Sequence, residues 1–487
     1  MTLDLALTAQ VLLWLVVAGV FLASRQASLF HPLTFYWAFH GTVFVVRPLL
    51  SYFFEFDSIW NYMIFQPTEE DLVRTLMVSS SGLVVFAAAS LWTGRSAVTF
   101  AEQRAQTTVT EWRALLLVTL VLAPLIAYSI IRSNTGGSAG ENRGGVFVMT
   151  GDSGYVVEAQ FMATPLLCVW LAVTRFRWPG LVPLALYVGY RAYCGWMRWT
   201  LVLFFVALAL AYCWQQRRKW LPVWMLLPAV PLLMLFQVLG QGRGTVNDLV
   251  HGVPVSARAD QDPTIAARDR LKLKYDTQDF ANFDYLTFVL ATVPGRTGSY
   301  TYGSQYLQLF TEPIPRKLWP GKPLGAPVGF FNLNAYGNFN GLTPSLPGDG
   351  WMSGGWIGLV ITMACFGGIW GWFHRWFWAN NGRCLSAMIY LIALAMSAQQ
   401  FRDGGISIVK FLFWNLSPLI LWAGVSWLLS PRLIPVYSVY LPRETRLRVI
   451  GPGPAASPRP SSPTASANRT DPKGGLYPPG EVTPRVL

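Results

Sequence analysis

Basic side chains at the ends of long apolar stretches, and in the longer segments between them, are the residues of this sequence best suited to binding charged groups. Arginine presents a planar fork of N–H donors that matches the oxygens of a phosphate group. Several such residues gathered at one membrane face would bind a multiply charged headgroup, whereas a single one can equally extend to the membrane surface or pair with a nearby acid. The set comprises Arg132, Arg143, Arg191, Arg198, Arg243, Arg296, Arg316, Lys317, Lys322, Arg402 and Lys410, with Arg47 and Glu158 inside apolar stretches.

The sequence gives no support to metal, nucleotide or nucleic-acid chemistry. The cysteines show no CxxC spacing and the histidines no ligand spacing, so neither a metal site nor a cofactor is predicted. A single Asp-x-Asp at 260–262 matches a metal–nucleotide motif by chance, because it falls in a segment where no nucleotide sugar is available. The net charge of +13 comes from scattered lysines and arginines without an aromatic-basic module, so nucleic acid is not a predicted partner.

The elements that must position these residues are membrane-spanning helices. The chain is 53% hydrophobic and 13% charged, whereas soluble domains carry about a quarter charged residues. Stretches of about 18–22 apolar residues recur, each long enough to cross a hydrocarbon core as a helix. We therefore predict an all-α polytopic membrane protein with about eleven transmembrane helices. The predicted spans are 5–23, 32–54, 72–92, 114–131, 154–174, 179–195, 198–214, 220–240, 354–373, 384–400 and 407–428.

The charge of the short connections predicts the orientation of the chain. One alternating set carries basic residues, among them Arg95, Arg175 and Arg217, whereas the opposite set begins with 55–71, which holds acidic residues and no lysine. Cytoplasmic connections carry an excess of lysine and arginine. The N-terminus is therefore predicted outside and, with an odd number of spans, the C-terminus in the cytoplasm.

Two segments depart from this pattern of short connections. Residues 241–353 form one predicted external loop, too long to be a simple connector, between the first eight spans in 1–240 and the last three in 354–428. Residues 429–487 are predicted to be a cytoplasmic disordered tail, because its part from 451 onward is mostly proline, serine, glycine and alanine.

The late part of the external loop contains the most specific stretch of the sequence. Prolines at 313, 315, 320 and 323 remove backbone donors and exclude a long helix or an inner strand. The stretch is predicted to be a rigid, extended path that holds Arg316, Trp319 and Lys322 in place. Trp319 could stack on a sugar ring while the two cations meet phosphate, or it could anchor the loop at the membrane surface.

This stretch resembles the oligosaccharide repeat-unit polymerases, the O-antigen polymerases of the Wzy type. The resemblance lies in Tyr-Gly-Ser at 302–304, Ile-Pro-Arg-Lys-Leu-Trp-Pro-Gly-Lys-Pro at 314–323, Thr-Pro-Ser at 343–345 and Gly-Asp-Gly at 348–350. A Gly-Gly-Trp-Ile-Gly run at 354–358 completes it at the start of the next span. Asp349 stands where relatives more often carry glutamate, and the early arginine loop around Arg143 aligns loosely with the family.

The resemblance implies a GT-C-like membrane glycosyltransferase in the bacterial cytoplasmic membrane, acting on its outer face. Such enzymes transfer a glycan from an undecaprenyl-pyrophosphate donor to a lipid-linked repeat unit, with a flippase and a chain-length regulator as partner proteins. No cofactor is implied, because the pyrophosphate already activates the donor. The implied catalytic residues are Asp349, Arg316, Arg402 and Glu158, and the implied substrate-binding residues are Arg132, Arg143, Arg198, Arg243, Arg296, Trp319 and Lys322.

The role of each residue follows from the chemistry of that transfer. Arginines and lysines stabilise charge that develops on the leaving pyrophosphate. Asp349 is the first candidate for a base that accepts the proton of the attacking hydroxyl, followed by Glu158 and Asp152. The alternative for Asp349 is an ion pair with Arg316.

Three other functions stay open at this point. An O-antigen ligase-like enzyme would use the same lipid-linked donor. A transferase that uses a polyprenyl-monophosphate sugar often carries its acid in the first outer loop, where Glu55 and Asp57 lie. A lipid-linked oligosaccharide flippase would need charges along a central cavity and pseudo-symmetric halves, and the spans show no internal repeat.

Overall fold

Helices make up most of the described part of the computed structural model. The described residues are 2–57, 59–96, 98–100, 109–135, 140–143, 146–149, 154–194, 198–225, 276, 281–311, 314, 318–319, 331–337 and 343–430. The α-helices are α1 Leu3–Ala23, α2 Pro32–His40, α3 Arg47–Phe54, α4 Glu69–Thr93, α5 Val109–Asn134, α6 Gly154–Glu158, α7 Ala163–Val173, α8 Trp178–Cys194, α9 Arg198–Gln215, α10 Asn282–Thr292, α11 Gln308–Thr311, α12 Ser345–Asn380, α13 Cys384–Asp403 and α14 Ser407–Leu429.

Seven of the described helical segments are long and apolar enough to cross a membrane, which confirms a helical membrane architecture. The count of eleven spans stays a prediction. Residues 32–54 are helical throughout but contain a π-helical turn at Gly41–Val46, and most of the predicted span 220–240 lies outside the described residues. The segments that qualify are Leu3–Ala23, Glu69–Thr93, Val109–Ser133, Tyr155–Val173, Ser345–Asn380, Cys384–Asp403 and Phe411–Leu429.

One short hairpin departs from the all-α prediction. Gly140–Arg143 pairs antiparallel with Val146–Met149, so that Arg143 lies opposite Val146. It is the single sheet among the residues that the structure describes. Residues 140–143 and 146–149 are therefore paired strands in a segment where the sequence predicted helices and loops alone.

Helix α12 begins with a short limb that folds back on the rest of the helix. Gly354 and Gly355 have non-helical dihedral angles, and Gly355 has a φ of 61°, which lies in the left-handed region that favours glycine. A Cβ on Gly350 of the short limb would lie 2.9 Å from the Cα of Leu359 on the long limb. The limb 345–353 therefore runs antiparallel to the start of the long limb, and α12 is a helical hairpin with its turn at 354–355.

The short limb and α10 together form a layer inside the helical bundle. Nearly every residue of α10 is buried, and Trp351 of the short limb donates its indole N–H to the carbonyl oxygen of Val293, 2.8 Å away, just after α10. Residues 281–301 and 343–353 thus pack among the helices, although the sequence predicted them in an external loop. Their apolar runs are too short to be recognised as spans from hydropathy alone.

The connections between helices form two groups, one rich in basic residues and one not. The described hydrogen bonds join connections of the same group. In the basic group, the Leu29 N–H donates to the Lys219 carbonyl oxygen at 2.8 Å, and the Asn381 side chain donates to the Thr99 carbonyl oxygen at 2.7 Å. In the other group, the Ile64 N–H donates to the Tyr336 carbonyl oxygen at 3.1 Å. This grouping matches the charge pattern of the sequence, and the assignment of one group to the cytoplasm stays a prediction.

Candidate functional site

Asp349 lies at the centre of a buried hydrogen-bond network on the short limb of α12. Its side chain accepts hydrogen bonds from Gln305 Nε2 at 3.1 Å, from the Tyr306 hydroxyl at 2.8 Å and from the backbone N–H of Gly405 at 2.9 Å. The residue is 3% exposed. The carboxylate therefore joins three chain segments: the short limb, the residues before the proline-rich stretch and the turn between α13 and α14.

The segment that carries Gln305 and Tyr306 is docked on the short limb by its own backbone. The Thr301 N–H donates to the Met352 carbonyl oxygen at 2.9 Å, and Ser304–Leu307 then forms a 3₁₀ turn that points both side chains at Asp349. Gln305 Nε2 also lies 2.5 Å from the Ser353 hydroxyl oxygen. Burial, and next the Asp349 carboxylate, raise the pKa of the Tyr306 hydroxyl, so this group stays a donor.

The hydrogen-bond network of Asp349 lies along the α12 hairpin, some distance from its turn at 354–355. Gly405 packs against the ring of Phe366 on the long limb, and the Tyr306 ring lies 6.3 Å from the Phe366 ring. At a rise of 1.5 Å per residue, Phe366 is about 15 Å along the helix from Gly355. The site is therefore enclosed by the helices of the bundle, along the α12 hairpin and away from its turn.

Arg402 and Asp403 end helix α13 next to this network. The carbonyl oxygen of Arg402 accepts a hydrogen bond from Asn282 Nδ2 at 3.2 Å and lies 3.0 Å from the Thr343 hydroxyl oxygen. Asn282 also donates to the Thr343 carbonyl oxygen at 2.9 Å. The start of α10, the residues just before α12 and the end of α13 thus meet at the backbone of Arg402. These contacts fix the backbone position from which the Arg402 side chain extends.

Asp403 accepts hydrogen bonds from two of the neighbouring side chains. The Thr343 hydroxyl donates to its Oδ1 at 2.9 Å, and Gln399 Nε2 donates to its Oδ2. Its Oδ1 also lies 3.8 Å from Arg402 Nε. The site therefore contains two carboxylates, Asp349 and Asp403, on either side of the turn at Gly404 and Gly405.

Arg296 lies at the opposite end of α10 from Arg402. Its guanidinium covers the ring of Phe65, with 3.8 Å from Cζ to the ring centroid, and its carbonyl oxygen accepts a hydrogen bond from the Tyr336 hydroxyl at 3.1 Å. Because Asn282, at the first turn of α10, contacts Arg402, the backbones of Arg296 and Arg402 are about 15 Å apart along the helix. The Arg296 guanidinium therefore lies against Phe65, and no described contact joins it to Arg402.

Glu158 and Arg132 occupy a separate part of the bundle. The Glu158 side chain is buried and accepts a hydrogen bond from Trp414 Nε1 at 3.1 Å, and Arg132 lies half-buried in the last turn of α5. Nearby, buried Arg191 donates to Gln160 Oε1 at 2.9 Å. No described contact joins Glu158 to the Asp349 network.

A buried ion cluster surrounds Arg47, which the sequence marked as a charge inside a span. Arg47 Nη2 lies 2.8 Å from Asp276 Oδ1, Arg47 Nε lies 2.9 Å from Asp284 Oδ2, and the guanidinium covers the Phe56 ring. Burial raises the pKa of Asp284, and Arg47 opposes that shift. The cluster ties α3 to α10 and thereby supports the layer that carries Asn282.

The other site residues predicted from the sequence are described by the structure only in part. Arg243, Arg316 and Lys322 lie outside the described residues, and for Arg143 and Arg198 the backbone alone is described. Trp319 is 38% exposed, beside a still more exposed Leu318. The prediction that these groups form a phosphate site therefore stays a prediction, as does an ion pair of Arg316 with Asp349.

Sequence reasoning missed several polar residues of the network. Neutral side chains such as Asn282, Gln305 and Thr343 carry no charge signal, and their partners are distant in the chain. Asp403 did have a signal, because it follows Arg402 in an Arg-Asp-Gly-Gly run between two apolar spans. Among the described residues, no group of three or more histidine, cysteine, aspartate or glutamate side chains could hold a metal ion.

Comparison with known proteins identifies no relative. No protein-family model matches the chain, and no curated protein or solved structure is significantly similar to it.

Proposed function

We propose that this protein is a membrane glycosyltransferase that polymerises undecaprenyl-pyrophosphate-linked oligosaccharide repeat units into a surface polysaccharide. The reaction takes place at the outer face of the bacterial cytoplasmic membrane, and no metal or nucleotide takes part. The proposal starts from the resemblance of residues 302–358 to the Wzy-type polymerases, a stretch that includes Arg316, Trp319 and Asp349.

One structural observation carries the proposal beyond the resemblance. Asp349 holds both the start of the resembling stretch, through Tyr306 at 2.8 Å, and the turn after Arg402, through Gly405 at 2.9 Å. Residues 306 and 405 come from distant parts of the sequence, and a lipid-pyrophosphate transferase needs cations from several segments around one headgroup. In the Asp349 network, three such segments come into contact next to Arg402.

The chemistry assigned to the site is electrostatic. The donor is already activated, so the protein must bind the pyrophosphate, orient the acceptor hydroxyl and offset the charge that develops on the leaving group. In this proposal Arg402, Arg316 and Lys322 contact the pyrophosphate, and Trp319 stacks on the adjacent sugar. Arg296, about 15 Å away along α10, contacts a more distant part of the glycan.

The buried position of the network suits a lipid-linked substrate. Its polyprenyl chain stays in the bilayer while the pyrophosphate reaches the outer part of the helical bundle from the side. Electrostatic interactions are stronger there than in water, because the surroundings have a lower effective dielectric constant. A few arginines can therefore stabilise the leaving group without a metal ion.

Reconstitution with a defined substrate tests the proposed function. The purified protein is placed in liposomes with a synthetic undecaprenyl-pyrophosphate repeat unit, and the lipid-linked glycans are resolved by size. The proposal predicts a ladder of products that differ by one repeat unit. Arg402→Ala is expected to abolish the ladder, while Arg74→Ala, in an exposed pair with Glu70, serves as the matched control.

Two other outcomes would assign the protein to another class. Movement of the intact substrate across the vesicle membrane without any longer product would identify a flippase. Transfer of a single glycan to a lipid A-type acceptor, again without a ladder, would identify a ligase-like enzyme.

A further inference from the structure

Asp403 differs from Asp349 in what surrounds it, although the two carboxylates belong to one network. Asp349 is 3% exposed and accepts hydrogen bonds from three groups. The Asp403 side chain is 15% exposed, and the adjacent Arg402 side chain is 27% exposed. A general base must reach the hydroxyl that it deprotonates, and of the two carboxylates Asp403 is the more accessible.

The position of Asp403 also matches the needs of the transfer. Its Oδ1 lies 3.8 Å from Arg402 Nε, so a pyrophosphate held by Arg402 would place the donor's anomeric carbon near this carboxylate. Thr343 and Gln399 donate to Asp403 and fix its orientation. Both are neutral donors, which stabilise the ionised carboxylate without cancelling its charge.

We propose that Asp403 is the general base of the glycosyl transfer and that Asp349 is a positioning residue. This inference rests on the proposed function. The acceptor hydroxyl oxygen forms a bond to the anomeric carbon of the donor, and its proton moves to the Asp403 carboxylate. The bond from that carbon to the pyrophosphate oxygen breaks, its electron pair leaves with undecaprenyl pyrophosphate, and Asp403 then releases the proton to water.

Several charged or titratable groups lie on the elements around Asp403. Arg402 precedes it on α13, Asp349 lies on the short limb of α12, Tyr306 lies on the 3₁₀ turn and Asp284 lies on α10. Lys410 follows on α14, with its side chain outside the described residues. Of these groups, Arg402 is the one whose side chain has a described contact with Asp403, at 3.8 Å from Nε to Oδ1.

The test compares two carboxamide variants and one hydroxyl variant in the liposome assay, across a range of pH. For Asp403→Asn we expect a loss of at least 100-fold in kcat with KM within threefold of the wild type. In the profile of kcat against pH, the fall at acidic pH (the acidic limb), which reports protonation of the base, should also disappear. Asp349→Asn should keep that acidic limb, with a lower thermal midpoint. Asp403→Glu, which keeps a carboxylate, should retain the limb at reduced kcat.

Thr343→Val separates catalysis from a merely structural role. It removes a donor to Asp403 but leaves the carboxylate, so we expect a loss of less than tenfold in kcat and an intact acidic limb. Equal losses in Asp403→Asn and Thr343→Val would show that Asp403 only holds Thr343, and would overturn the inference. A wild-type ladder with full activity in Asp403→Asn would overturn the inference alone, whereas no wild-type ladder would overturn the proposed function with it.

Discussion

The Tyr306 hydroxyl donates a hydrogen bond to Asp349 Oδ2 across 2.8 Å, joining the residues before the proline-rich stretch to the short limb of α12. Asp349 also holds the Gly405 N–H, so a single carboxylate connects the two segments that carry Arg316 and Arg402. The packing of the 3₁₀ turn against the end of α13 therefore depends on a residue that need not touch the substrate.

Tyr306→Phe should weaken this connection. The substitution leaves the buried Asp349 carboxylate with one donor fewer, which costs about 1–3 kcal/mol. We expect a lower thermal midpoint in detergent and a reduced kcat. Tyr302→Phe is the control, because Tyr302 is 79% exposed and lies in the same segment. Equal midpoints for the two variants would contradict a structural role for the Tyr306 hydrogen bond.

Arg47→Ala should destabilise the protein far more than a surface arginine variant does. It leaves Asp276 and Asp284 with uncompensated charge in a buried place, and breaking such a cluster costs about 3–5 kcal/mol. Arg74→Ala removes an exposed pair with Glu70 and should change stability by less than about 1 kcal/mol. Thermal unfolding of the two variants in one detergent measures the difference, and similar midpoints would show that the buried pairs contribute little.

Gly355→Ala should disrupt the turn of the α12 hairpin. The residue has a φ of 61°, and an added Cβ would lie 2.8 Å from the Tyr300 hydroxyl oxygen. Gly354→Ala is the matched control, since its Cβ would meet nothing within 4 Å. We expect Gly355→Ala to lose at least about 1–2 kcal/mol of stability and Gly354→Ala to lose less. The reverse order of thermal midpoints would contradict the hairpin.

Arg296 and Arg402 should act independently of each other. Their backbones are separated by about the length of α10, about 15 Å, and distant sites usually add within about 0.5 kcal/mol. We expect Arg296→Ala to raise KM and Arg402→Ala to lower kcat, with additive effects in the double variant. A coupling energy well above that limit in the double-mutant cycle would place both side chains on one phosphate.

Hydropathy was sufficient to predict the long spans, because a stretch such as Leu3–Ala23 carries its own signal. It failed for α10 and the short limb of α12, whose apolar runs are brief and lie among glycines and prolines. The partners of Arg47 are 229 and 237 residues away in the chain, so no local pattern identifies them. Arg402 and Asp349 were predicted as site residues from charge and motif, whereas their neutral partners Asn282 and Gln305 required the fold.

Mass spectrometry of lipid-linked products gives the most direct test of the central claim. Liposomes that contain the purified protein are incubated with a synthetic undecaprenyl-pyrophosphate repeat unit, and both the glycolipids and the released undecaprenyl pyrophosphate are quantified. We expect glycolipids that grow by whole repeat units, with one undecaprenyl pyrophosphate released for each bond formed. Unchanged substrate on both sides of the bilayer, with no released pyrophosphate, would contradict it.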